Sequence, residues 1–340
     1  MGTRPVQNGA MTTHSAPPAS CRRTFPLGRR ALVAATAGLL AAPALSRAAK
    51  AAPVLRVGNQ KGGLRSLLEA SGALEGVPYG LEWSEFPAAA PLLEALSADA
   101  LDVGSMGDLA FFSVFASGAP LQAYAATRAD PRSQAILVRG DAPFRGLADL
   151  RGKRVAGNRG GWGQFLVRAA LQRAGLPPDA VEHVFLGPAE AALAFRSGSV
   201  DAWAIWEPYV SIEVAQFGAR VLEDGTGLTP TVSFLAAHRN ALRDRRDALA
   251  DLMRRQRRGW DWAAAHLPDY AAYNAKLTRL PEKPVQLAFE KQRTRAVPLD
   301  GALLAELQQA ADRAVEYGVL KQRIDVTAAI DRGFPLDTAG

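Results

Sequence analysis

The sequence predicts an α/β fold of two similar lobes with a cleft between them, and three observations carry that prediction. From residue 53 onward, short apolar runs alternate with segments of helical periodicity: VLRVG, LRSLLEASGAL, LEWSEF, PLLEALSA and ALDVGSMG. Strands separated by helices of about ten residues build parallel βαβ units. A second series of the same kind begins near residue 150 with KRVAG, FLVRAALQRAG, AVEHVFLG, EAALAFRSG and SVDAWAIW. The third observation is an internal echo. RVGNQKGG at 56–63 returns as RVAGNRGG at 154–161, and LDVGSMGDLAF at 101–111 as VDAWAIWEPYV at 200–210, at offsets of 98 and 99 residues. Lys61 then pairs with Arg159, Asp102 with Asp201 and Asp108 with Glu207. Generic βα turns share such glycines for steric reasons, so the echo by itself also fits chance resemblance.

At 340 residues, 48% hydrophobic and 21% charged, the chain can bury one large core or two medium ones. A formal charge of +7 would suit nucleic acid or an anionic membrane if it were spread over the body. It is not: seven of the 40 basic residues and none of the 33 acidic ones fall in the first 50 positions, which leaves the remainder balanced. Nucleic acid is therefore not an expected partner. The basic leader has its own logic. CRRTFPLGRR precedes ALVAATAGLLAAPAL, a charged segment ahead of a short apolar one, followed by small residues suited to cleavage. Residues 1–48 are expected to form a signal peptide cut after Ala48, with Ala44 and Ala51 as competing sites; an uncleaved N-terminal anchor, or a generic signal with incidental arginines, is the alternative. The pairs Arg22-Arg23 and Arg29-Arg30 suggest the twin-arginine route. The single cysteine, Cys21, lies ahead of the apolar run, so the mature chain has no thiol for nucleophilic, redox or metal-binding work.

The most suggestive loop is GNRGGWGQF at 157–165, between an apolar strand and LVRAALQRAG. A Walker loop would close on Gly-Lys-Ser/Thr, which is absent here, and the glycines miss the spacing of a dinucleotide fingerprint. In open parallel sheets, ligands sit at the carboxyl ends of strands, where helix N-termini favour anions. Four loops are placed to converge in this way: Asn59 to Gly63, Ser105 to Leu109, Asn158 to Phe165, and Trp206 to Tyr209.

The segments LRVGNQKGGL, FPAAAPLLEALSADALDVGSMGD, DLRGKRVAGNRGG, FRSGSVDAWAIWEPYV and LEDGTGL, with the closing AVPLDGALLAELQQAADRAVEYGVLKQRIDV, carry a family resemblance. In them the chain resembles the aliphatic sulfonate-binding proteins of bacterial ABC importers, within the nitrate, sulfonate and taurine binding family. That resemblance implies a two-lobe periplasmic binding protein of type II-like fold, each lobe a doubly wound mixed sheet. It implies no catalysis, cofactor or metal, a monomer, and delivery of a small anion to a permease driven by an ATPase. Lobe I would comprise 53–137 plus 238–340 and lobe II 138–237, with the chain crossing near 135–139 and 233–239. The run DRRDALADLMRRQRRGWDWAAAHLP would cover lobe I, its basic residues in water and Leu249, Leu252, Met253 and Trp260 facing in.

Candidate ligand-binding residues follow where the chain matches the family. Gln60 offers an amide donor at a strand end. Ser105, Gly107 and Asp108 match a hydroxyl-Gly-Asp turn, Asp108 being expected to cap the following helix or meet a cationic part of the ligand. Asn158, Gly160 and Gly161 follow an Asn-basic-Gly pattern, but Gly161 stands where the family usually has a hydroxyl residue. Trp162 adds a flat surface there, and Gln164 could donate in compensation. Trp206 and Glu207 match a Trp-x-Pro strand end; Trp203, three residues earlier, points to the other face and is expected in the core or rim. Thr229, with Thr226 and Thr231, could donate hydroxyls or simply hold turns. The implied ligand is an alkanesulfonate; taurine, an aromatic sulfonate, a sulfate ester, nitrate and a pyrimidine are alternatives. An enzyme of the pyrimidine-synthase type would need a reactive histidine or cysteine in the cleft. His183, His238 and His266 occur in unrelated contexts. A regulator's sensing domain is disfavoured by the leader and the lack of a DNA-binding segment.

Overall fold

In the computed structural model, residues 53–334 are described, and the expected signal peptide, its arginine pairs and Cys21 lie outside them. The chain opens with β1 (Val54–Gln60), α1 (Leu64–Ala70), β2 (Gly80–Phe86), α2 (Ala89–Ser97), β3 (Val103–Gly107), α3 (Asp108–Phe115) and β4 (Leu121–Arg128). It then enters a second sheet through β5 (Gln134–Val138), β6 (Arg154–Gly157), α4 (Trp162–Arg173), β7 (Glu182–Phe185), α5 (Pro188–Arg196), β8 (Ala202–Trp206), α6 (Tyr209–Phe217) and β9 (Arg220–Asp224). It returns by β10 (Val232–His238), α7 (Arg239–Asp244), α8 (Arg246–Ala265), α9 (Leu267–Thr278), α10 (Glu282–Gln292), β11 (Arg295–Val297) and α11 (Gly301–Glu316). The first sheet has the order β11-β4-β10-β3-β1-β2 and the second β7-β6-β8-β5-β9.

The echoed sequences occupy equivalent places. In the first sheet β1 runs parallel between β2 and β3; in the second β6 runs parallel between β7 and β8. Val57 pairs with Val103, and Val155 with Ala202. The Arg56 amide donates to the Asp102 carboxylate at 2.7 Å and the Arg154 amide to Asp201 at 2.9 Å, the same bond at both strand starts. After each strand the chain turns through a left-handed glycine, Gly62 at φ +80° and Gly160 at φ +66°, a conformation costly for any residue with a Cβ. Gly63 and Gly161 then cap α1 and α4. Each sheet also takes in one antiparallel strand from a crossing: β5 pairs against β8, and β10 against β3.

The crossings themselves lie a few residues earlier than the sequence suggested. β5 is buried along its whole length and belongs entirely to the second sheet, and β10 pairs along its whole length in the first. The chain therefore crosses in the segment 129–133, which holds a 3₁₀ turn at Pro131–Ser133, and crosses back in the segment 225–231. The physical reason is that a strand buried on both faces needs neighbours on both edges for its backbone, which a linker cannot provide.

In α8, Leu249, Leu252 and Met253 are buried. Arg255 departs from the expected solvated stripe. It is buried, bonded to Asp251 at 2.5 Å and to the carbonyls of Ala73 and Glu75 at 2.6 and 2.8 Å, so its cation is fully employed in holding the loop after α1. A continuous apolar core runs from α2 and α3 through α11 to α4 and β6. Among the described residues no helix is long and apolar enough to cross a membrane.

Candidate functional site

A cleft of about 800 Å³ opens at the carboxyl ends of the parallel strands. The first sheet presents Gln60 at the end of β1, the turn Lys61 to Gly63, Ser105 on β3 and Thr127 on β4. The second presents Gly187 to Glu190 at the start of α5 and Trp206 to Tyr209 between β8 and α6. Helices after the return contribute Gln256 and Trp260 on α8, Tyr270 and Asn274 on α9, and Phe289 on α10.

Four of the candidate residues line this cleft: Gln60, Ser105, Trp206 and Glu207. The Gln60 amide donates to the Ser105 carbonyl at 3.2 Å, which fixes its side chain across the strand ends. Trp206 is half-buried, whereas Trp203, on the opposite face of β8, is buried to 1% exposure in the core. Glu207 requires a correction. Its buried carboxylate accepts from the Ser211 amide and hydroxyl at 2.9 Å each and from Lys291 at 2.6 Å, so its oxygens are committed to the first turn of α6 and to α10. It ties α10 to the second sheet and is not a group free for a ligand.

The remaining candidates do not line the cleft. Asp108 is the first residue of α3, capped by Gly107, and does not cap that helix itself. It is completely buried, accepts from its neighbour Leu109, and burial pushes its carboxyl well above the usual carboxylate range. Gln164, proposed as a compensating donor, is consumed internally: its oxygen accepts from Gly160 at 2.9 Å and its nitrogen donates to the Gly318 carbonyl at 3.4 Å. Thr229 is buried and donates to the Gly225 carbonyl at 3.4 Å, a turn-holding bond. Thr231 does reach the cleft wall, but its hydroxyl donates to the Ala129 carbonyl at 2.6 Å.

The loop 157–165 is accounted for by packing. The Asn158 side chain accepts from the Gly163 amide at 2.8 Å, closing the turn over α4. A Cβ on Gly161 would lie 2.1 Å from the Asn158 amide nitrogen, so a hydroxyl residue cannot stand there while that side chain keeps its place. Trp162 points toward the first sheet. A Cβ on Gly107 would come within 2.8 Å of its indole nitrogen, which shows how closely the ring lies on the end of β3. Its other face packs edge-on against Phe165, which in turn meets Tyr317 beyond α11. The loop that most resembled a ligand grip is thus an inter-sheet contact, and Gly107 is the surface it rests on.

The electrostatics of the cleft are sparse. Among the described residues Lys61 is its only lining cation, and Glu190 and Glu207 are its carboxylates. Glu190 turns back toward the Gly187 amide at the start of α5 at 3.3 Å. The three histidines among the described residues lie elsewhere. His183 stacks on Phe185 in β7, where burial and Arg168 push its pKa down to about 4. His238 ends β10 and accepts from Asn240, and His266 stacks on Trp262 between α8 and α9. Among the described residues no cluster of histidine, cysteine and carboxylate could hold a metal ion. Periodicity and spacing could not flag Trp260, Tyr270 and Phe289, because all three sit on helices far along the chain. Trp260 carried an apolar-face signal, but that signal pointed to the core.

Residues 86–271, more than half of the chain, match the family described as NMT1/THI5 like. The chain belongs to the NMT1/THI5-like family. It is 34% identical over 308 residues to a protein of Escherichia coli strain K12 named as an aliphatic sulfonates-binding protein, covering 89% of this chain and 96% of the relative. Among solved structures it is similar to the alkanesulfonate-binding protein SsuA of Xanthomonas axonopodis pv. citri bound to MOPS. That similarity has a TM-score of 0.78, 29% identity, and coverage of 83% of this chain and 99% of the other. The periplasmic aliphatic sulphonate-binding protein SsuA of Escherichia coli gives a TM-score of 0.73 at 32% identity, covering 84% and 94%. The NMT1/THI5-like chain therefore has the two-sheet architecture of the periplasmic binding proteins.

Proposed function

We propose that this protein is the solute-binding component of a bacterial ABC importer, exported to the periplasm, where it captures a small organic sulfonate and passes it to a membrane permease worked by a separate ATPase. The observation that carries this is the cleft at the strand ends of two equivalent sheets, in a chain 34% identical along most of its length to a sulfonates-binding relative. Lys61 supplies one positive charge, Gln60 an amide donor, and Ser105 and Thr127 hydroxyls within the same lining. A sulfonate carries one negative charge over three oxygens, so a single cation with several neutral donors suits it. Among the described residues no histidine lines the cleft, which supports capture over chemistry. Residues 1–48 are the export signal in this scheme, by the twin-arginine route, and the mature protein works as a monomer.

Calorimetric titration of the mature protein with alkanesulfonates, taurine, sulfate and nitrate tests the reading. A sulfonate is expected to bind with low-micromolar affinity, about −8 kcal/mol. Binding of nitrate or sulfate with no response to any sulfonate would refute the ligand class. Trp206→Ala is expected to weaken sulfonate binding by about tenfold. N-terminal sequencing of the exported protein locates the cleavage point.

A further inference from the structure

The cleft holds more aromatic surface than a small anion can cover. Trp206 and Tyr209 contribute from the second sheet's side, and Phe86, Trp260, Tyr270 and Phe289 from the first. The last three rings hold one another in place. Tyr270 stacks on Phe289 with centroids 4.4 Å apart and planes at 18°, and Trp260 meets Tyr270 edge-on at 6.2 Å and 89°. Tyr270 is buried, so this set is rigid before any ligand arrives. The Trp260 indole N–H is buried and makes no hydrogen bond among the described residues, although its ring lines the cleft. Among the described residues Lys61 is the one cation of the lining; the Glu207 carboxylate is paired with Lys291, and Glu190 accepts from the Gly187 amide at the start of α5. On the other side, Trp162 lies against Gly107, so the turn around Gly161 adds nothing to the lining.

A ligand that fits must combine one negative charge with a broad, flat apolar body. The volume of about 800 Å³ lies toward the upper end of small-molecule sites, which run from roughly 300 to 1,000 Å³, and a two-carbon sulfonate fills little of it. Aromatic walls reward a ring beyond the gain from its area alone, since offset and edge-on contacts are attractive. We propose that the ligand is a sulfonate carrying an aromatic ring, with the headgroup at Lys61 and Gln60 and the ring among Trp206, Trp260 and Phe289. This rests on the assignment of the cleft to sulfonates and narrows it.

The test compares ethanesulfonate with 2-phenylethanesulfonate by calorimetry on the mature wild-type protein, the two sharing a headgroup and tether and differing by one ring. The phenyl compound is expected to bind at least about tenfold tighter. Trp206→Leu and Phe289→Leu, which keep bulk but remove the ring, should each shrink that ratio several-fold, with cooperative melting showing that the variants remain folded. Should either variant fail to fold, the wild-type ratio decides. Equal affinity for the two compounds, or tighter binding of ethanesulfonate, overturns the inference and leaves the sulfonate assignment intact. Binding of neither compound, with 3-phenylpropionate bound instead, overturns both.

Discussion

The two glycine turns at the ends of β1 and β6 are built alike and used differently. Both follow a parallel strand, both pass through a left-handed glycine, and both open a helix. The first, Gln60 to Gly63, forms part of the cleft wall. The second, Asn158 to Gly161, is absent from it, because the next residue is a tryptophan that reaches across to Gly107. In the first turn the equivalent residue is Leu64, which is buried in its own lobe's core. One side chain therefore decides whether a duplicated turn faces ligand or faces the other sheet. Matched backbone geometry transfers structure between lobes but not role.

The same asymmetry runs through the paired aspartates, and this is where substitution should show the largest difference. Asp102 is buried, bonded to the Arg56 guanidinium at 2.7 Å and also to Arg245. Asp201 makes its backbone bond at an exposed position. Asp102→Ala is expected to cost about 3 kcal/mol of unfolding free energy and Asp201→Ala about 1, read by urea denaturation. Equal losses would mean that the shared backbone bond, and not the arginine pairing, carries the energy.

Trp162→Ala should cost about 2 kcal/mol, less than a fully buried tryptophan because the ring is only half-buried. Gly107→Ala should cost a similar amount through the clash with that ring, and the double variant should be no worse than Trp162→Ala alone. Additive losses in the cycle would show that the two residues do not meet.

Smaller effects separate the turns themselves. Gly160→Ala places a Cβ at φ +66° in open surroundings, with only the Ser113 hydroxyl at 3.8 Å, and should cost about 1 kcal/mol. Gly62→Ala adds a contact of 2.7 Å with Thr278 to the same backbone penalty and should cost more by thermal melting. A reversed order would break the equivalence.

His183 gives a weak effect, about 1 kcal/mol at pH 5 once the partial exposure of the ring, which screens it, is allowed for. Its folded pKa of about 4 lies below the ordinary 6.5, so the unfolded chain takes up the proton first and stability is lost as pH falls through that window. His183→Leu should flatten the melting temperature between pH 6.5 and 4; an unchanged slope would place the loss elsewhere.

Much of the fold was legible because it repeats local patterns. Alternating apolar runs and helical segments gave the βα units, and the echo of Arg56 to Gly63 in Arg154 to Gly161 gave the equivalence of the sheets. The crossings were misplaced because QAILV and SFLAAH read as hydrophobic in either role, and only pairing partners distinguish a strand from a linker. That Gln60, Ser105 and Trp206 stand at the cleft was legible because strand ends are local. Gln164, Glu207 and Asp108 could not be excluded, because what occupies their polar atoms is Gly318, Lys291 and a buried helix start, two of them distant in sequence.

By itself, then, the sequence determined the βα pattern, the duplicated turns, the neutral body behind a basic leader, and the absence of a thiol after Cys21. These are properties of composition and short-range spacing. Tertiary structure alone decided which of the twin turns meets the cleft, that Glu207 is bound to Lys291, and that Trp260, Tyr270 and Phe289 come together with Trp206. Those outcomes depend on contacts between residues distant in the chain, 84 positions apart for Glu207 and Lys291 and 212 for Gly62 and Asn274, and nothing in either local segment encodes its partner.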